Sequence, residues 1–462
     1  MPCFNILDFG AAGDGHSYDT VPIQQAIDRC HEAGGGRVVV PAGKVFLTGT
    51  FRLRSFVELH LEGGSRIIGG AEREDYPNDE LRCLIEAYDA QCIAITGMGS
   101  IDGRAHLHMV EDLRYIYRGN VWRPRLVGLI RCRQVTVRDV TLKDSANWGL
   151  HLTGCEDVVI HGIRILNDLK VPNCDGIDPD HCRNVRISDC HIEAGDDCIV
   201  LKNTREFAPP LNDRDCGPTE NITVTGCTLI STSAAIKIGT ESVDDFRNLV
   251  FSDCIIKSSS RGLAIQLRDQ GNVENVIFAN MVIETRLFED HWWGKAEPIY
   301  VTAIPRFSQS PTEPLPKWNP EGRLGRVRHV RFSNILCRSE NGAFIAGSEQ
   351  SVIEDVVLDN VRIELDKWSK WPGGVHDRRP CDALGPAFRD PSQDPGLTRH
   401  PTVGIYCQHA RDITLRHTRI AWGDNRPDYF QHALYAEKTE NLVLDDFRGD
   451  AAHPNIEPQV IN

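Results

Sequence analysis

Long apolar segments are absent from this chain of 462 residues. No run reaches the roughly 18 residues that a membrane-spanning helix needs. The N-terminus also lacks the basic stretch followed by an apolar stretch that marks a secretory leader. We therefore expect a protein without a membrane partner, located in the cytoplasm unless a leader has been removed.

Positive charge is scarce, since 51 lysines and arginines stand against 65 aspartates and glutamates and leave a formal net charge of −14. Binding of nucleic acid needs a basic surface, so we expect no nucleic-acid partner. The 16 cysteines lack the CxxC spacing of metal sites, and most lie in β-like segments. We interpret them as small buried apolar residues and expect neither a metal nor a cofactor.

One short pattern recurs along the chain, a polar residue followed by V/I-x-V/I/F-x-x-x-x-I/L. The steps between successive copies are 23, 27, 37, 27, 27, 54, 26, 57 and 29 residues. The steps of 54 and 57 are close to twice 27. Each of these two steps is therefore predicted to contain one further coil whose sequence no longer matches the pattern. The first apolar residues of the copies are Val135, Val158, Val185, Ile222, Leu249, Val276, Val330, Val356, Ile413 and Leu442.

The apolar residues within each copy alternate over short runs, which is typical of β-strands. The copies lack the 3.6-residue stripe of helical repeats and the spacing of leucine-rich repeats. The pattern therefore predicts an all-β solenoid of parallel stacked strands that forms one domain over residues 1–462. Within it, residues 1–55 hold the cap region and first coils, residues 365–400 a loop-rich insertion, and Asp19 to Ala33 a capping helix.

Three carboxylates are brought together when the coils are aligned. We number each coil from its first apolar residue, which is position zero. In the Val185 coil Asp196 and Asp197 then fall at +11 and +12. In the Val158 coil an insertion near 167–172 accounts for the extra residues, and with this allowance Asp175 aligns with Asp197. Carboxylates packed this closely favour protonation of one of them, as general acid–base chemistry requires. The alternatives are a calcium site and simple turn formation.

Basic and aromatic residues supply the candidate ligand-binding groups. Strand alternation predicts that Lys202, Lys237 and Arg268 point outward, and Arg261 falls in the carboxylate column. Randomly placed solvated cations are the alternative. A second candidate group lies in a long stretch between two coils and consists of Trp292, Trp293 and Glu297. Tryptophan rings suit the C–H faces of a sugar, and a nearby carboxylate suits its hydroxyls. The alternative is that this stretch only packs a loop onto the solenoid.

The chain carries the motifs N-x-D-G at 173–176 and G-D-D-C at 195–198, and it opens with N-I-L-D-F-G. These motifs and this opening resemble those of glycoside hydrolase family 28, the polygalacturonases and related pectin hydrolases. The resemblance implies a right-handed parallel β-helix of the pectin-lyase type and hydrolysis of α-galacturonosyl linkages with inversion. By the same resemblance Asp196 is the general acid, Asp175 and Asp197 hold and deprotonate the attacking water, and Asn173 belongs to the substrate site.

Two further motifs of the family are missing from this chain. G-H-G would fall at Ser233-Ala234-Ala235, and R-I-K, which grips a uronate carboxylate, reads Ala264-Ile265-Gln266. We therefore expect an exo-acting glycosidase for short galacturonide-containing oligosaccharides, in which Lys237 or Arg268 replaces the lost cation. The alternatives are a β-helix polysaccharide lyase or epimerase, which would use calcium and a basic residue, and a non-catalytic sugar-binding solenoid.

Overall fold

The computed structural model describes residues 2–78, 81–205, 217–289, 293–306, 318–379 and 396–462. The chain folds into two compact units. The N-terminal unit holds the described residues up to Val200 together with 217–227, and the C-terminal unit holds 201–205 and the described residues from Thr228 onward. A single domain over the whole chain stays a prediction.

Strands that pair in parallel with the equivalent strands of the next coil build the N-terminal unit. The exception is the antiparallel hairpin of β11 and β12. The strands are β1 (Cys3–Asn5), β2 (Asp14–Tyr18), β3 (Gly36–Val40), β4 (Val45–Thr48), β5 (Phe51–Arg52), β6 (Val57–Leu61), β7 (Arg66–Gly69), β8 (Cys83–Tyr88), β9 (Gln91–Gly97), β10 (Ser100–Asp102), β11 (Met109–Asp112), β12 (Tyr117–Gly119), β13 (Arg125–Ile130), β14 (Arg133–Arg138), β15 (Thr141–Lys143), β16 (Leu150–Thr153), β17 (Glu156–His161), β18 (Arg164–Leu166), β19 (Ile177–Asp180), β20 (Arg183–Ser188), β21 (His191–Ala194), the first two residues of β22 (Ile199–Asn203) and β23 (Thr219–Thr225).

Helical structure in the described residues is confined to the N-terminal unit. The α-helix α1 (Thr20–Glu32) buries Ile23, Ile27 and Cys30 on one stripe and packs against the first strands, which confirms the predicted capping helix. Short 3₁₀ helices span Ile6–Phe9, Arg73–Asp75 and Ala105–His108. No helix in the described ranges is both long enough and apolar enough to cross a membrane.

The C-terminal unit repeats the same parallel arrangement with longer strands and longer connections. Its antiparallel hairpin is formed by β34 and β35. The strands are the last residues of β22, β24 (Thr228–Ser231), β25 (Ala234–Ser242), β26 (Phe246–Ser252), β27 (Ile255–Ser259), β28 (Arg261–Leu267), β29 (Val273–Thr285), β30 (Ile299–Ala303), β31 (Val327–Ser339), β32 (Ala343–Ala346), β33 (Ile353–Leu365), β34 (Val375–Asp377), β35 (Leu397–Arg399), β36 (Ile405–Arg416), β37 (Arg419–Trp422), β38 (Leu434–Asp445) and β39 (Gln459–Ile461).

The core of each unit consists of apolar columns that follow the predicted register. In the N-terminal unit Val135 pairs with Val158, Val158 with Val185, and Val185 with Ile222. In the C-terminal unit the corresponding column begins at Leu249 and continues in the same way. Alternate residues of these strands are buried, as the period of two requires. The predicted right-handed parallel β-helix is therefore confirmed.

Two left-handed residues, five positions apart, recur in all ten coils that carry the sequence pattern. The polar residue that opens each copy has φ between 48° and 59°, and a second positive-φ residue follows five positions later. Asparagine, aspartate and glycine adopt this conformation at the least cost. The opening residues are Gln134, Asp157, Asn184, Asn221, Asn248, Asn275, His329, Asp355, Asp412 and Asn441.

The side chains of these turn residues also bond along the stack. Asn184 Nδ2 donates to Asp157 Oδ1 at 3.0 Å, and Asn275 Nδ2 donates to Asn248 Oδ1 at 3.2 Å. In the second column Asn280 Nδ2 donates to Asp253 Oδ1 at 3.1 Å. The polar residue of the repeat therefore sets the backbone turn of its own coil and links that coil to its neighbour.

The prediction of degenerate coils within the two longest steps is wrong. Val276 pairs directly with Val330, and Val356 pairs directly with Ile413, so each step is a single coil. The extra residues lie in the connections that flank β30 and in residues 366–404, which include the β34–β35 hairpin. A spacing counts loop residues and coil residues alike, and therefore could not distinguish the two.

The cysteines behave as the composition suggests. Among those in the described part of the chain, Cys3 and Cys92 are exposed and the others are buried free thiols. Burial raises the pKa of the Cys83 thiol to about 12, which keeps it neutral. The interpretation of the cysteines as small apolar core residues is thus confirmed for the described cysteines other than Cys3 and Cys92.

We expect the aromatic column of the C-terminal unit to dominate its local stability. The ring of Phe278 stacks between Phe251 and Phe332 at centroid distances of 4.9 and 5.0 Å. Phe278→Ala should lower the free energy of unfolding by roughly 3–5 kcal/mol because it opens a cavity between the rings. Urea denaturation measures this. The neighbouring Ile277 is 41% exposed, so Ile277→Ala should cost less than about 1 kcal/mol, and equal losses would contradict the assigned core.

Candidate active site

Three buried carboxylates meet in the last coils of the N-terminal unit, just before strands β19 and β22. One oxygen of each lies within 4.8 Å of the others. Asp175 precedes β19, whereas Asp196 and Asp197 lie between β21 and β22. Each residue is no more than 5% exposed. The structure thus brings together the three aspartates that coil alignment selected.

Backbone bonds between adjacent coils fix this arrangement. Gly176 N–H donates to the Asp197 carbonyl at 2.8 Å, and Ile177 N–H donates to the Cys198 carbonyl at 2.9 Å. These bonds place Asp175 in the predicted register with Asp197. A Cβ on Gly176 would lie 2.4 Å from the Cys198 carbonyl oxygen, so only glycine fits there. The glycine of the N-x-D-G motif is therefore needed for close approach of the coils.

Asn173 connects the carboxylates to the loop that precedes β19. Its backbone is left-handed, with φ of 57°, and its N–H donates to Asp196 Oδ2 at 3.2 Å. Its side-chain oxygen accepts a 2.8 Å bond from Arg123 Nη2. Asn173, predicted to lie in the substrate site, therefore contacts the proposed acid directly.

Arg123 is a member of this cluster that the sequence pattern did not single out. It lies between β12 and β13, outside the repeat, and its charge interacts with those of Asp175 and Asp196. Burial lowers the pKa of its guanidinium, yet an arginine side chain stays protonated in proteins. The only sequence feature that could have drawn attention to it is its position in an insertion of the coil that precedes the motifs.

The carboxylate cluster can perform two kinds of chemistry. Three oxygens at this spacing could form part of the shell of a hard cation, although calcium takes six to eight oxygen ligands. They could equally share protons, with one carboxyl acting as acid and the others as bases. The N–H bond from Asn173 and the nearby guanidinium compensate the negative charge and suit the second use.

Two predicted cations lie around a carboxylate in the C-terminal unit. Lys202 Nζ is 3.5 Å from Glu241 Oε2, and both side chains are largely buried. Burial alone would raise the pKa of Glu241, but the charges of Lys202, Arg306 and Lys237 outweigh it and lower the pKa to about 2. Glu241 is therefore ionised and partly neutralises the cations assigned to an acidic ligand.

Arg261 and Glu297, both predicted to bind substrate, form part of a buried ion network in the C-terminal unit. Arg261 Nε donates to Glu297 Oε2 at 3.1 Å and Arg261 Nη2 to Asp377 Oδ2 at 2.9 Å, while its guanidinium carbon lies 3.7 Å from the centroid of the Tyr300 ring. Arg379 pairs with the same Asp377. These groups are satisfied by protein partners, and their role in substrate binding stays a prediction.

Outward exposure was predicted for Lys202 and Arg268, and it is wrong for both, since Lys202 is only 4% exposed. Arg268 is covered together with Arg261, which was predicted to fall in the carboxylate column. Both are at most 3% exposed, because the segment from Val375 to Arg379 covers that face of the C-terminal unit. Arg268 Nη1 donates to the Leu267 carbonyl and to Thr302 Oγ1, and its Nη2 donates to the Arg379 carbonyl. Strand alternation gave the direction of these side chains but could not predict what covers them.

The tryptophan pair is only partly described. Trp293 is half-buried, and the guanidinium carbon of Arg379 lies 4.5 Å from the centroid of its ring. Its carbonyl accepts a 3.0 Å bond from Ser260 Oγ. Trp292 lies outside the described residues. The contact of Trp293 with Arg379 favours packing of this loop onto the unit, which was the alternative to sugar binding.

Small residues occupy the positions of the two missing motifs. Ala264 pairs in register with Lys237 on one side and with Tyr300 on the other. Ala234 and Ala264 are buried in one apolar cluster with Tyr300. Both positions therefore lie in an apolar cluster that includes an aromatic ring.

Comparisons with known proteins agree with this architecture. The model of the family described as Glycosyl hydrolases family 28 matches residues 30–286. A "Probable polygalacturonase" from Vitis vinifera is 31% identical over 262 residues, and the match covers 51% of this chain and 51% of that one. The structure of a hyperthermoactive exopolygalacturonase from Thermotoga maritima superposes with a TM-score of 0.64 at 27% identity, covering 79% of this chain and 87% of that one.

A second solved structure shows the fold alone. The family 28 exopolygalacturonase of Yersinia enterocolitica superposes with a TM-score of 0.69 at 19% identity, covering 95% of this chain and 78% of that one. This chain spans about half the length of the curated relatives it matches.

The Glu241 cluster makes stability depend on pH. Because the pKa of Glu241 is lowered to about 2, its stabilising charge is present above the unfolded value near 4.5 and is lost as the pH falls towards 2. Glu241→Gln should lower the unfolding free energy at pH 7 by on the order of 3 kcal/mol, and by much less at pH 3. Urea unfolding at both pH values measures this, with the exposed Glu440→Gln as an unaffected control. An equal loss at both values would show that packing is the cause.

Proposed function

Because the chain belongs to glycosyl hydrolases family 28, we propose that it hydrolyses O-glycosidic bonds in pectin-like, galacturonide-containing oligosaccharides. The observation that carries this proposal is the clustering of Asp175, Asp196 and Asp197 within 4.8 Å at the family's motif positions. The names of the relatives, which are polygalacturonases and exopolygalacturonases, support the same substrate class.

In the proposed reaction Asp196 donates a proton to the leaving glycosidic oxygen. Asp175 and Asp197 orient a water molecule and accept its proton as its oxygen attacks the anomeric carbon. The N–H of Asn173 donates to Oδ2 of Asp196 and so helps to orient this carboxyl group. We propose inversion on the basis of the family resemblance alone. The geometry does not support it, since the oxygens lie closer together than the separation of about 6.5–9.5 Å usual for inverting enzymes.

We propose exo action because an insertion stands beside the carboxylates. Residues 103–124 contain a 3₁₀ helix and the β11–β12 hairpin, and they pack on the loop that leads to Asn173. Tyr117 N–H donates to the Lys170 carbonyl, and Lys170 Nζ donates to Asp112 Oδ1 at 2.6 Å. A segment held at this place reduces the room for a long polymer and favours attack at a chain end.

The cations of the C-terminal unit support an acidic substrate. Lys202, Lys237 and Arg306 surround Glu241, and Arg306 also pairs with Asp269. Positive charges gathered in this way favour a ligand that carries a carboxylate, such as a uronate. We propose that Lys237 and Lys202 take over the role of the missing cationic motif.

The first test replaces the proposed acid. Asp196→Asn keeps the shape of the side chain but removes the proton, so turnover of galacturonide oligosaccharides should fall roughly 10²–10⁴-fold. Asp189→Asn is a matched control, because Asp189 is an exposed turn residue of the same unit. Reducing-end release measures turnover, and NMR of the fresh product reports its anomeric form. Near-normal turnover by Asp196→Asn would refute the mechanism.

The same assay separates hydrolysis from elimination. A β-helix lyase would use the three carboxylates for calcium and would yield an unsaturated product that absorbs ultraviolet light. We expect no such absorbance and full activity after exhaustive chelation. A complete loss that calcium restores would favour the lyase alternative.

The second test addresses the substrate charge. Lys237→Glu should reduce turnover of acidic oligosaccharides by at least about tenfold while neutral ones change little, because it reverses one charge of the cluster. Lys257→Glu, on an exposed position of β27, should leave both rates unchanged. Parallel assays on acidic and neutral fragments measure the difference, and equal effects on both substrates would contradict the proposed role.

A further inference from the structure

Arg123 holds one particular peptide group of the candidate active site. Its Nη1 donates to the carbonyls of Ala146, at 2.8 Å, and of Pro172, and its Nη2 donates to Asn173 Oδ1 at 2.8 Å. Two of these three acceptors flank the bond between Pro172 and Asn173. The side chain comes from an insertion of another coil, so it ties that insertion to the loop before β19.

The peptide group between Pro172 and Asn173 has Arg123 on one side and Asp196 on the other. Its carbonyl accepts from the guanidinium, and its N–H donates to Asp196 Oδ2 at 3.2 Å. Because the peptide unit is planar, fixing the carbonyl also fixes the direction of the N–H. A cation at the carbonyl polarises the amide and strengthens its N–H as a donor.

Asn173 is held at its side chain as well as at its backbone. Its φ of 57° is left-handed, a conformation that asparagine adopts at low cost. The bond from Arg123 Nη2 to Asn173 Oδ1 at 2.8 Å adds a restraint on the residue whose N–H contacts Asp196.

We propose that Arg123 is a positioning residue for general acid catalysis, acting on Asp196 through the peptide group between Pro172 and Asn173. This inference rests on the proposed function. As the proton leaves Asp196 for the glycosidic oxygen, negative charge develops on the Asp196 carboxylate. The polarised N–H then stabilises that charge where it forms, as a preorganised donor should.

The charge of Arg123 also acts on the neighbouring titratable groups. Those that interact with it are Cys174, Asp175, Asp196 and His108, and Asp197 completes the carboxylate cluster. Removing the positive charge raises the pKa of the carboxyls near it. Both limbs of the pH–rate profile should therefore move to higher pH when Arg123 becomes neutral.

The test compares Arg123→Gln and Arg123→Lys with wild type on one acidic oligosaccharide. In Arg123→Gln we expect kcat to fall roughly 10–100-fold with a smaller change in KM, and both pH limbs to rise by about one unit. Arg123→Lys keeps the charge but not the bridging geometry, so its pH limbs should return to wild type while kcat stays reduced.

Arg331→Gln is the matched control. Arg331 also bonds two backbone carbonyls and one side-chain oxygen, but it lies in β31. Its loss should leave the pH limbs in place. Unshifted limbs in Arg123→Gln, or a change in KM alone, would overturn the proposal.

A second measurement does not need activity. Without Arg123 the buried carboxylates are less compensated when ionised, so Arg123→Gln should lower the melting temperature more at pH 7 than at pH 4. If wild type cleaves no galacturonide, the proposed function fails, whereas this difference still supports the electrostatic link from Arg123 to the carboxylates. An equal drop at both pH values would contradict that link.

Discussion

Backbone hydrogen bonding between successive coils is the constraint on which the rest of the structure depends. Parallel pairing places each residue over its counterpart about 4.8 Å away, and the observed registers, such as Val158 over Val135, extend this through each unit. Side chains that would otherwise be distant in sequence become stacked neighbours. Asp175 and Asp197 approach each other for this reason, and the same bonds exclude a side chain at Gly176.

Much of the fold and the centre of the candidate site could be predicted because both follow the repeat. The apolar columns and the stacking of Asp175 with Asp197 depend only on counting positions within coils. Features outside the repeat could not be found this way. Arg123 lies in an insertion, and the cover over Arg261 and Arg268 comes from the segment around Asp377, more than a hundred residues further along. The same limitation made single coils with long connections look like two coils.

Burial of charge is costly, and the two units compensate it differently. In the C-terminal unit Arg261, Glu297, Asp377 and Arg379 form a satisfied network, which fixes a hairpin but leaves little free charge. Removing one partner of such a network usually lowers the free energy of unfolding by far more than the intact network contributes to it. In the N-terminal unit three carboxylates lie within 4.8 Å of one another, and a guanidinium and an amide N–H are among the groups that compensate them. Such a cluster of like charges is typical of a site selected for reactivity.

The paired left-handed turns suggest how a chain of this kind can change its length. In all ten coils the two positive-φ residues lie five positions apart, whereas insertions fall in the other connections. The turns that occupy the same place in two different coils therefore have the same backbone geometry where they join the strands on either side. A gene duplication or deletion with breakpoints at equivalent turns would add or remove a whole coil without disturbing the strands on either side, so the solenoid can grow by modular recombination while its other loops diversify.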